Sequence, residues 1–300
     1  MGHANQRTGD YPIETVEAEE IERLRRQSEA WAADARWLLE RIGIRPGWRC
    51  LDLGCGPEGL TRDLSARVGP EGEVVGLEYS PDFVKLARAA AAANVSIVEG
   101  DAYATGLPAG SFDFVHFRFL ASTAGRPELL VAEAKRVLRP GGILAAQEAD
   151  ARSLMCHPPH PAWDRLRAAL EVCFPEGFGD DPLAYRLYRL MRGAGFEELG
   201  FRPALLGTTA SHPWQGYFID TALSLREVFL RRGLFAPDEF DATLADCRAH
   251  LAHPDTLVTS VTLTQTWGRT PAGARRRRRT GSPCRATNAG PPAGRPGGPT

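Results

Sequence analysis

The chain predicts an α/β protein: a doubly wound, mostly parallel sheet of seven strands, covered by helices on both faces, with a helical cap before it and a helical lid inserted late. Three observations carry that expectation. Short apolar runs alternate with amphipathic stretches of helical period from residue 48 to residue 148. A glycine-rich turn, Asp52-Leu53-Gly54-Cys55-Gly56-Pro57-Glu58-Gly59, stands between the first such run and the first helical pattern. The 300 residues, 43% of them hydrophobic, suffice for one sizeable core.

Between residues 14 and 42, Ile21, Leu24, Trp31, Ala35 and Leu38 recur at helical spacing, which predicts a helical cap over residues 1–44 with Arg23, Arg25 and Arg26 on a solvated face. Strands follow at 48–53, 73–78, 95–99, 112–117 and 142–148, and helices at 60–68, 81–93 and 127–138. They open a domain expected over 45–267, with helical insertions at about 151–180 and 213–253. Amphipathic helices are expected at 162–173 and 182–194, the second closed by Gly195, a residue suited to a helix C-cap. A strand at 201–206 and the alternating stretch 257–267 complete the sheet. Helices at 214–232 and 237–250 exceed what the sheet needs and predict the lid, whose Trp214, Tyr217, Phe218 and Phe229 are candidates to line a pocket. Residues 271–300, with the run Arg275 to Arg279 among Pro and Gly, bury too little to fold and read as a disordered tail.

Charge and composition narrow the function classes. The tail holds seven arginines and no acid, so the preceding 270 residues carry 29 basic against 37 acidic groups. A body that acidic is poorly matched to nucleic acid. No uninterrupted apolar stretch approaches the 18 or so residues of a membrane span, and residues 1–8 lack a signal core, so a cytoplasmic protein is expected. The six cysteines form no C-x-x-C pair, and Cys50 and Cys55 sit where buried thiols fit. His157, His160 and His212 each lie beside proline without a carboxylate at ligand spacing, so no metal site is expected.

Read literally, the glycine spacing suits a dinucleotide, with Glu78 roughly 20 residues on to hold ribose hydroxyls. Glu78 ends an apolar strand, where its carboxylate can accept two hydrogen bonds from a diol. Gly54 and Gly56 leave space where a Cβ would clash, and Asp52 can take an ammonium or order the loop through backbone N–H groups. Asp101, followed by the Ala102 N–H, offers an acceptor and a donor to the amino edge of adenine.

The turn with Asp52 resembles motif I of the class I S-adenosylmethionine (SAM) methyltransferases, of the small-molecule subgroup. Further matches follow in that family's order: Val74-Val75-Gly76-Leu77-Glu78-Tyr79-Ser80, Val98-Glu99-Gly100-Asp101-Ala102, Ser111-Phe112-Asp113-Phe114-Val115-His116 and Val137-Leu138-Arg139-Pro140-Gly141-Gly142. The resemblance implies a Rossmann-like fold, SAM as cofactor and a small organic metabolite methylated on O, N or C. It implies cofactor contacts from Gln27, Asp52, Gly54, Gly56, Glu78, Tyr79, Asp101, Ala102 and Arg118, with Tyr11 and Gln27 reaching in from the cap. It names no catalytic residue; His116 is the nearest titratable candidate for a base, set against the plainer reading of a satisfied core histidine.

Two departures bear on activity. Glu58 stands where the pattern has a third glycine, which Gly59 would have to replace, and Thr123 stands where relatives often carry histidine. They keep a SAM-binding protein without catalysis open, beside an NAD-dependent oxidoreductase that leaves Asp52 and Asp101-Ala102 unexplained. The expected partner is a small-molecule substrate, with no nucleic acid and no membrane, and a homodimer is allowed.

Overall fold

The computed structural model describes residues 18–57 and 59–272, so the readings of Tyr11, of Glu58 and of Arg275 to Arg279 lie outside the described residues. In chain order the elements begin with α1 (Ala18–Ala30), α2 (Ala32–Ile42), β1 (Arg49–Leu53), α3 (Thr61–Val68), β2 (Glu73–Glu78), α4 (Pro81–Ala90), β3 (Val95–Glu99) and β4 (Phe112–Arg118). Next come α5 (Ala121–Ala124), α6 (Pro127–Val137), β5 (Leu138–Asp150), β6 (Met155–His157), α7 (Pro161–Cys173), α8 (Pro175–Phe178), α9 (Leu183–Gly193) and β7 (Glu197–Ala204). The last are β8 (Gly207–Thr209), α10 (Tyr217–Ser224), α11 (Arg226–Arg231), α12 (Pro237–Leu251), β9 (Leu257–Thr259) and β10 (Thr262–Arg269).

Seven strands form the central sheet in the order β3-β2-β1-β4-β5-β10-β7. The pairs among β1 to β5 are parallel, and β10 runs antiparallel to both β5 and β7. Alternate residues of the strands go to opposite faces, and each face finds helices. Cys50, Val74, Phe114 and Ile143 pack against Ala35, Leu38 and Leu39 of α2 and Leu64 and Val68 of α3. Leu51, Val75, Val115 and Leu144 pack against α6 and α9 through Leu130, Ala134, Leu187 and Met191. The doubly wound sheet expected from the alternation is therefore present, and its strand order reverses direction between β1 and β4, where such sheets open a crevice at their carboxyl ends.

A second hydrophobic cluster belongs to the insertions: Trp163 and Leu166 of α7, Phe218 and Ala222 of α10, Phe229 of α11 and Phe240 of α12 bury one another away from the sheet. The small antiparallel sheet β6-β9-β8 closes this unit and contributes Val258 to its core.

One expectation is refined and three are corrected. The helical pattern read over 14–42 falls, from residue 18 onward, into two helices broken at Trp31, whose buried indole packs edge-on against Trp214 at 6.2 Å. Arg23 is not on a solvated face: it is 6% exposed, bound to Glu20 and Tyr217, while Arg25 and Arg26 remain on the surface side. The stretch 257–267 is not one strand. At Ser260, whose N–H donates to Leu206 and whose hydroxyl accepts from the Leu206 N–H, the chain bends and β9 leaves the central sheet. The helix expected over 214–232 is a 3₁₀ turn at Pro213–Gly216 followed by α10 and α11, separated at the fully buried Leu225.

Candidate active site

The carboxyl ends of β1, β2 and β4, the turn after β3, α1 and the insertions enclose a cavity of about 350 Å³. At its base the chain after β1 turns sharply, with Gly54 and Gly56 at φ +64° and +55°, a region that favours glycine. Asp52 organises this turn. Its Oδ2 accepts from the Leu60 N–H at 2.8 Å, which ties the start of α3 to the end of β1. Its Oδ1 accepts from His116 Nδ1 at 2.7 Å; a carboxylate only accepts, so the proton is on Nδ1. Gly59 lies against both: a Cβ there would stand 2.3 Å from the Cys55 carbonyl oxygen and 2.6 Å from Asp52 Oδ2. The close approach that the sequence pattern asks of a third glycine is thus made by Gly59.

Glu78 is fixed by backbone alone. Its Oε1 accepts from the N–H groups of Tyr79 and Ser80 at 2.8 and 2.9 Å, and its Oε2 from the Gly56 N–H at 2.9 Å. Strand β2 and the glycine turn therefore share one carboxylate, which keeps lone pairs for hydroxyl donors on a ligand. Between them Cys55 is 3% exposed; burial first, then the Asp52 and Glu78 carboxylates, push its thiol well above the usual range, so it stays an uncharged wall.

Arg118 ends β4 and faces the cavity. Its Nη2 donates to the Ser28 hydroxyl of α1 at 3.3 Å, while Nη1 is shielded from solvent with no hydrogen-bond partner among the described residues. Burial pulls the guanidinium below its ordinary range, the mark of a cation lacking a full complement of acceptors.

Of the residues expected to hold a cofactor, Gln27, Asp52, Gly54, Gly56, Glu78, Tyr79, Ala102 and Arg118 line the cavity. Asp101 is beside it without lining it, and its Oδ1 accepts from the Tyr103 N–H at 2.9 Å, closing the turn after β3. Gly54 has a second constraint besides its place on the cavity, since a Cβ there would meet Leu120 Cδ1 at 2.9 Å. Gly56 does leave room, because a Cβ there would meet nothing within 4 Å. His116 is 1% exposed, with Nδ1 on Asp52 and Nε2 facing the Gln147 side-chain amide at 3.2 Å, the setting of a core histidine that positions Asp52, and it also borders the cavity.

Trp214, Tyr217 and Phe218 line the cavity as expected, but Phe229 does not; it is fully buried among Phe235 and Phe240. Sequence reasoning missed Trp31, Phe119, Leu154, Phe174, Phe178, Ser260 and Val261. Trp31 breaks its helix with no local signature, while Ser260 bends its strand where Val258-Thr259-Ser260-Val261 shifts the alternation by one residue. Only Phe174 and Phe178, in a Pro-Glu-Gly loop between helices, stood where a pocket wall is a natural reading.

A doubly wound sheet completed by an antiparallel strand, with Asp52 and Glu78 at the carboxyl ends of β1 and β2 and a glycine turn after β1, has the layout of a nucleotide-binding α/β domain. Residues 51–146 match the family described as the methyltransferase domain. A demethylmenaquinone methyltransferase of Lactococcus lactis is 29% identical over 212 residues, covering 62% of this chain and 79% of that one. The chain spans about half the length of other curated relatives it matches. Among solved structures, a methyltransferase of Bacillus halodurans superposes with a TM-score of 0.52 at 18% identity, over 80% of this chain and all of that one. The phosphoethanolamine N-methyltransferase 2 of Haemonchus contortus, in complex with SAM, superposes with a TM-score of 0.50 at 17% identity, over 80% of this chain and 52% of that one. Residues 51–146 thus match a methyltransferase domain, and the chain is similar over most of its length to methyltransferases, one of which is seen with SAM bound.

The site fits that group. Room at Gly56, an acceptor-only carboxylate at Glu78 and an orphaned donor at Arg118 complement a molecule that carries a diol and a carboxylate.

Proposed function

We propose that the protein methylates an O, N or C atom of a small, uncharged and largely apolar organic molecule. One observation carries the reading: from residue 149 onward, the cavity lining contains no ionisable side chain except the phenol of Tyr217. Ala149, Ala151, Leu154, Leu170, Phe174, Phe178, Trp214, Phe218, Val258 and Val261 make these walls, with Gln215, Thr221 and Ser260 as their neutral polar groups. A charged acceptor would lose its hydration against such walls at a cost of several kcal/mol. A flat apolar one gains about 25 cal/mol per Å² buried. Demethylmenaquinone, the substrate in the name of the Lactococcus relative, is an uncharged quinone and of this class.

Glu78 would hold the ribose hydroxyls of SAM, Arg118 its carboxylate, and the turn at Gly54 and Gly56 its amino-acid arm, with Gln27 and Tyr79 over it from the cap and from the end of β2. Ala102 would meet the adenine, with Asp101 shaping the turn behind it. Bound there, SAM supplies an electrophilic methyl group to the acceptor. The residues of the chain align acceptor and cofactor and exclude water, and alignment alone can supply roughly 7–11 kcal/mol of the barrier. No base from the lid is needed when the acceptor arrives already nucleophilic.

Residues up to 44 act in this reading as a cap and 151–180 and 213–253 as a lid on the methyltransferase domain. No described helix is long and apolar enough to cross a membrane. A cytoplasmic address and the lack of a nucleic-acid partner belong to the proposal. Its test is product formation from SAM with 1,4-naphthoquinol or a naphthol against phosphoethanolamine and free amino acids. Turnover of the uncharged aromatic compounds is expected. Turnover restricted to the charged ones would overturn it.

A further inference from the structure

Within the apolar half of the cavity one polar group is built rather than incidental. Tyr217, the first residue of α10, lies flat on Trp214, with ring centroids 3.7 Å apart and planes 12° from parallel. Its hydroxyl oxygen accepts from Arg23 Nη1 at 2.7 Å. Arg23 is in turn held by Glu20, Nε to Oε2 at 2.7 Å and Nη2 to Oε1 at 2.6 Å, and both side chains are buried. A guanidinium has donors only, so the phenol must be the acceptor in that bond and its own proton points elsewhere. The neighbouring Thr221 hydroxyl donates its proton to the Tyr217 carbonyl at 2.9 Å, which leaves its oxygen as an acceptor beside the phenol. Arg23 takes the acceptor side of the phenol, so the phenolic proton is left to the Thr221 oxygen or to a ligand in the cavity that Tyr217 lines. Burial raises the phenol above its ordinary range, so the proton is retained at neutral pH.

We infer that Tyr217 is a substrate-positioning residue, donating a hydrogen bond to an oxygen of the acceptor molecule, so that the preferred acceptor is an apolar ring system carrying a carbonyl, ether or hydroxyl oxygen. The inference rests on the uncharged-acceptor reading above and sharpens it. The Glu20–Arg23 pair serves two ends: it fixes the direction of the phenolic O–H, and the guanidinium draws electron density from the phenol oxygen, which strengthens the O–H as a donor. Trp214 holds the ring plane. The device spans α1 and α10, so the donor is correctly aimed only when cap and lid are together.

The test uses the full chain saturated with S-adenosylhomocysteine (SAH), titrated calorimetrically with two molecules of like shape, 2-acetylnaphthalene, which has a carbonyl oxygen, and 2-isopropylnaphthalene, which has none. The native protein is expected to prefer the ketone by about tenfold, the scale of one well-placed hydrogen bond. Tyr217→Phe should keep its affinity for the hydrocarbon and for SAH and lose the preference. Arg23→Gln, which keeps a neutral donor to the phenol, should retain only part of it, and this second variant decides the matter if Tyr217→Phe folds poorly. An undiminished preference in the variants would overturn the assignment of Tyr217. Weakened SAH binding with the preference intact would overturn it too, by placing the phenol on the cofactor. If neither naphthalene binds the native SAH complex, the uncharged-acceptor reading falls and takes the Tyr217 assignment with it.

Discussion

The two halves of the cavity are built on opposite principles. On the sheet side, Asp52, Glu78 and His116 are buried polar groups whose partners are mostly backbone N–H groups or one another. On the lid side, the walls are apolar side chains contributed by α7, α8, the 3₁₀ turn before α10, α10 itself and the bend after β9. The first half is fixed before any ligand arrives, because its donors and acceptors belong to strand ends that the sheet holds in register. The second is shaped by packing of helices inserted late in the chain. A constant cofactor and a variable acceptor are served by a division of this kind.

Breaking the sheet side should have the largest effect. Glu78→Ala removes the acceptor shared by three backbone N–H groups, and SAH affinity measured by calorimetry should fall about 100-fold, each lost charge-assisted bond being worth roughly 1.5–3 kcal/mol. Affinity for an uncharged naphthalene ligand should change far less, which is the sharper half of the prediction.

Arg118→Met comes next. Its Nη1 has no partner among the described residues, so deleting the cation should cost the apo protein little stability while SAH affinity drops about tenfold. Equal losses in melting temperature and affinity would show that the guanidinium supports the fold.

Glu148 tests the junction of the two halves. It is fully buried at the end of β5, and its Oε1 accepts from the Ala121 N–H at 2.8 Å, anchoring α5 and the Ser122 and Thr123 walls. Burial raises its carboxyl to about 7. In the folded state it therefore holds a proton that the unfolded chain releases nearer 4.5, and the linkage sign is negative: its contribution to stability falls as pH rises from about 4.5 to about 7. Glu148→Gln should remove that dependence. In denaturant titrations its stability relative to the native protein should improve between pH 5 and pH 7.5, by at most about 1.4 kcal/mol per pH unit.

The smallest effect is expected at the outer latch, where Arg26 of α1 pairs with Asp220 of α10 at 2.9 Å, both partly exposed. Asp220→Asn should shift stability by no more than about 1 kcal/mol, less at high salt.

The sheet side was also the legible side. Asp52, Glu78 and the glycines lie within a few residues of a strand end, so local sequence carries both their identity and their place. Even there the close approach of Leu120 to Gly54 was not legible, because that side chain is 66 residues away. On the lid side, helical spacing placed aromatic residues on α10 and α11 without saying which would face the cavity. Phe218 does, and Phe229 turns into the insertion's own core. Arg23 read as a surface charge since nothing in its helix reveals Tyr217, 194 positions further on. The bend at Ser260 falls where Val258-Thr259-Ser260-Val261 shifts the alternation by one residue, a slip easily passed over in a β-rich stretch, and it is held by hydrogen bonds to Leu206.

The division of the cavity is tested most directly by the crystal structure of the SAH complex. The expected result places the ribose at Glu78 and the carboxylate at Arg118, with the space bounded by Phe178, Trp214, Phe218 and Val261 left open beside the sulfur. SAH lying against those four residues, away from Glu78, would contradict it.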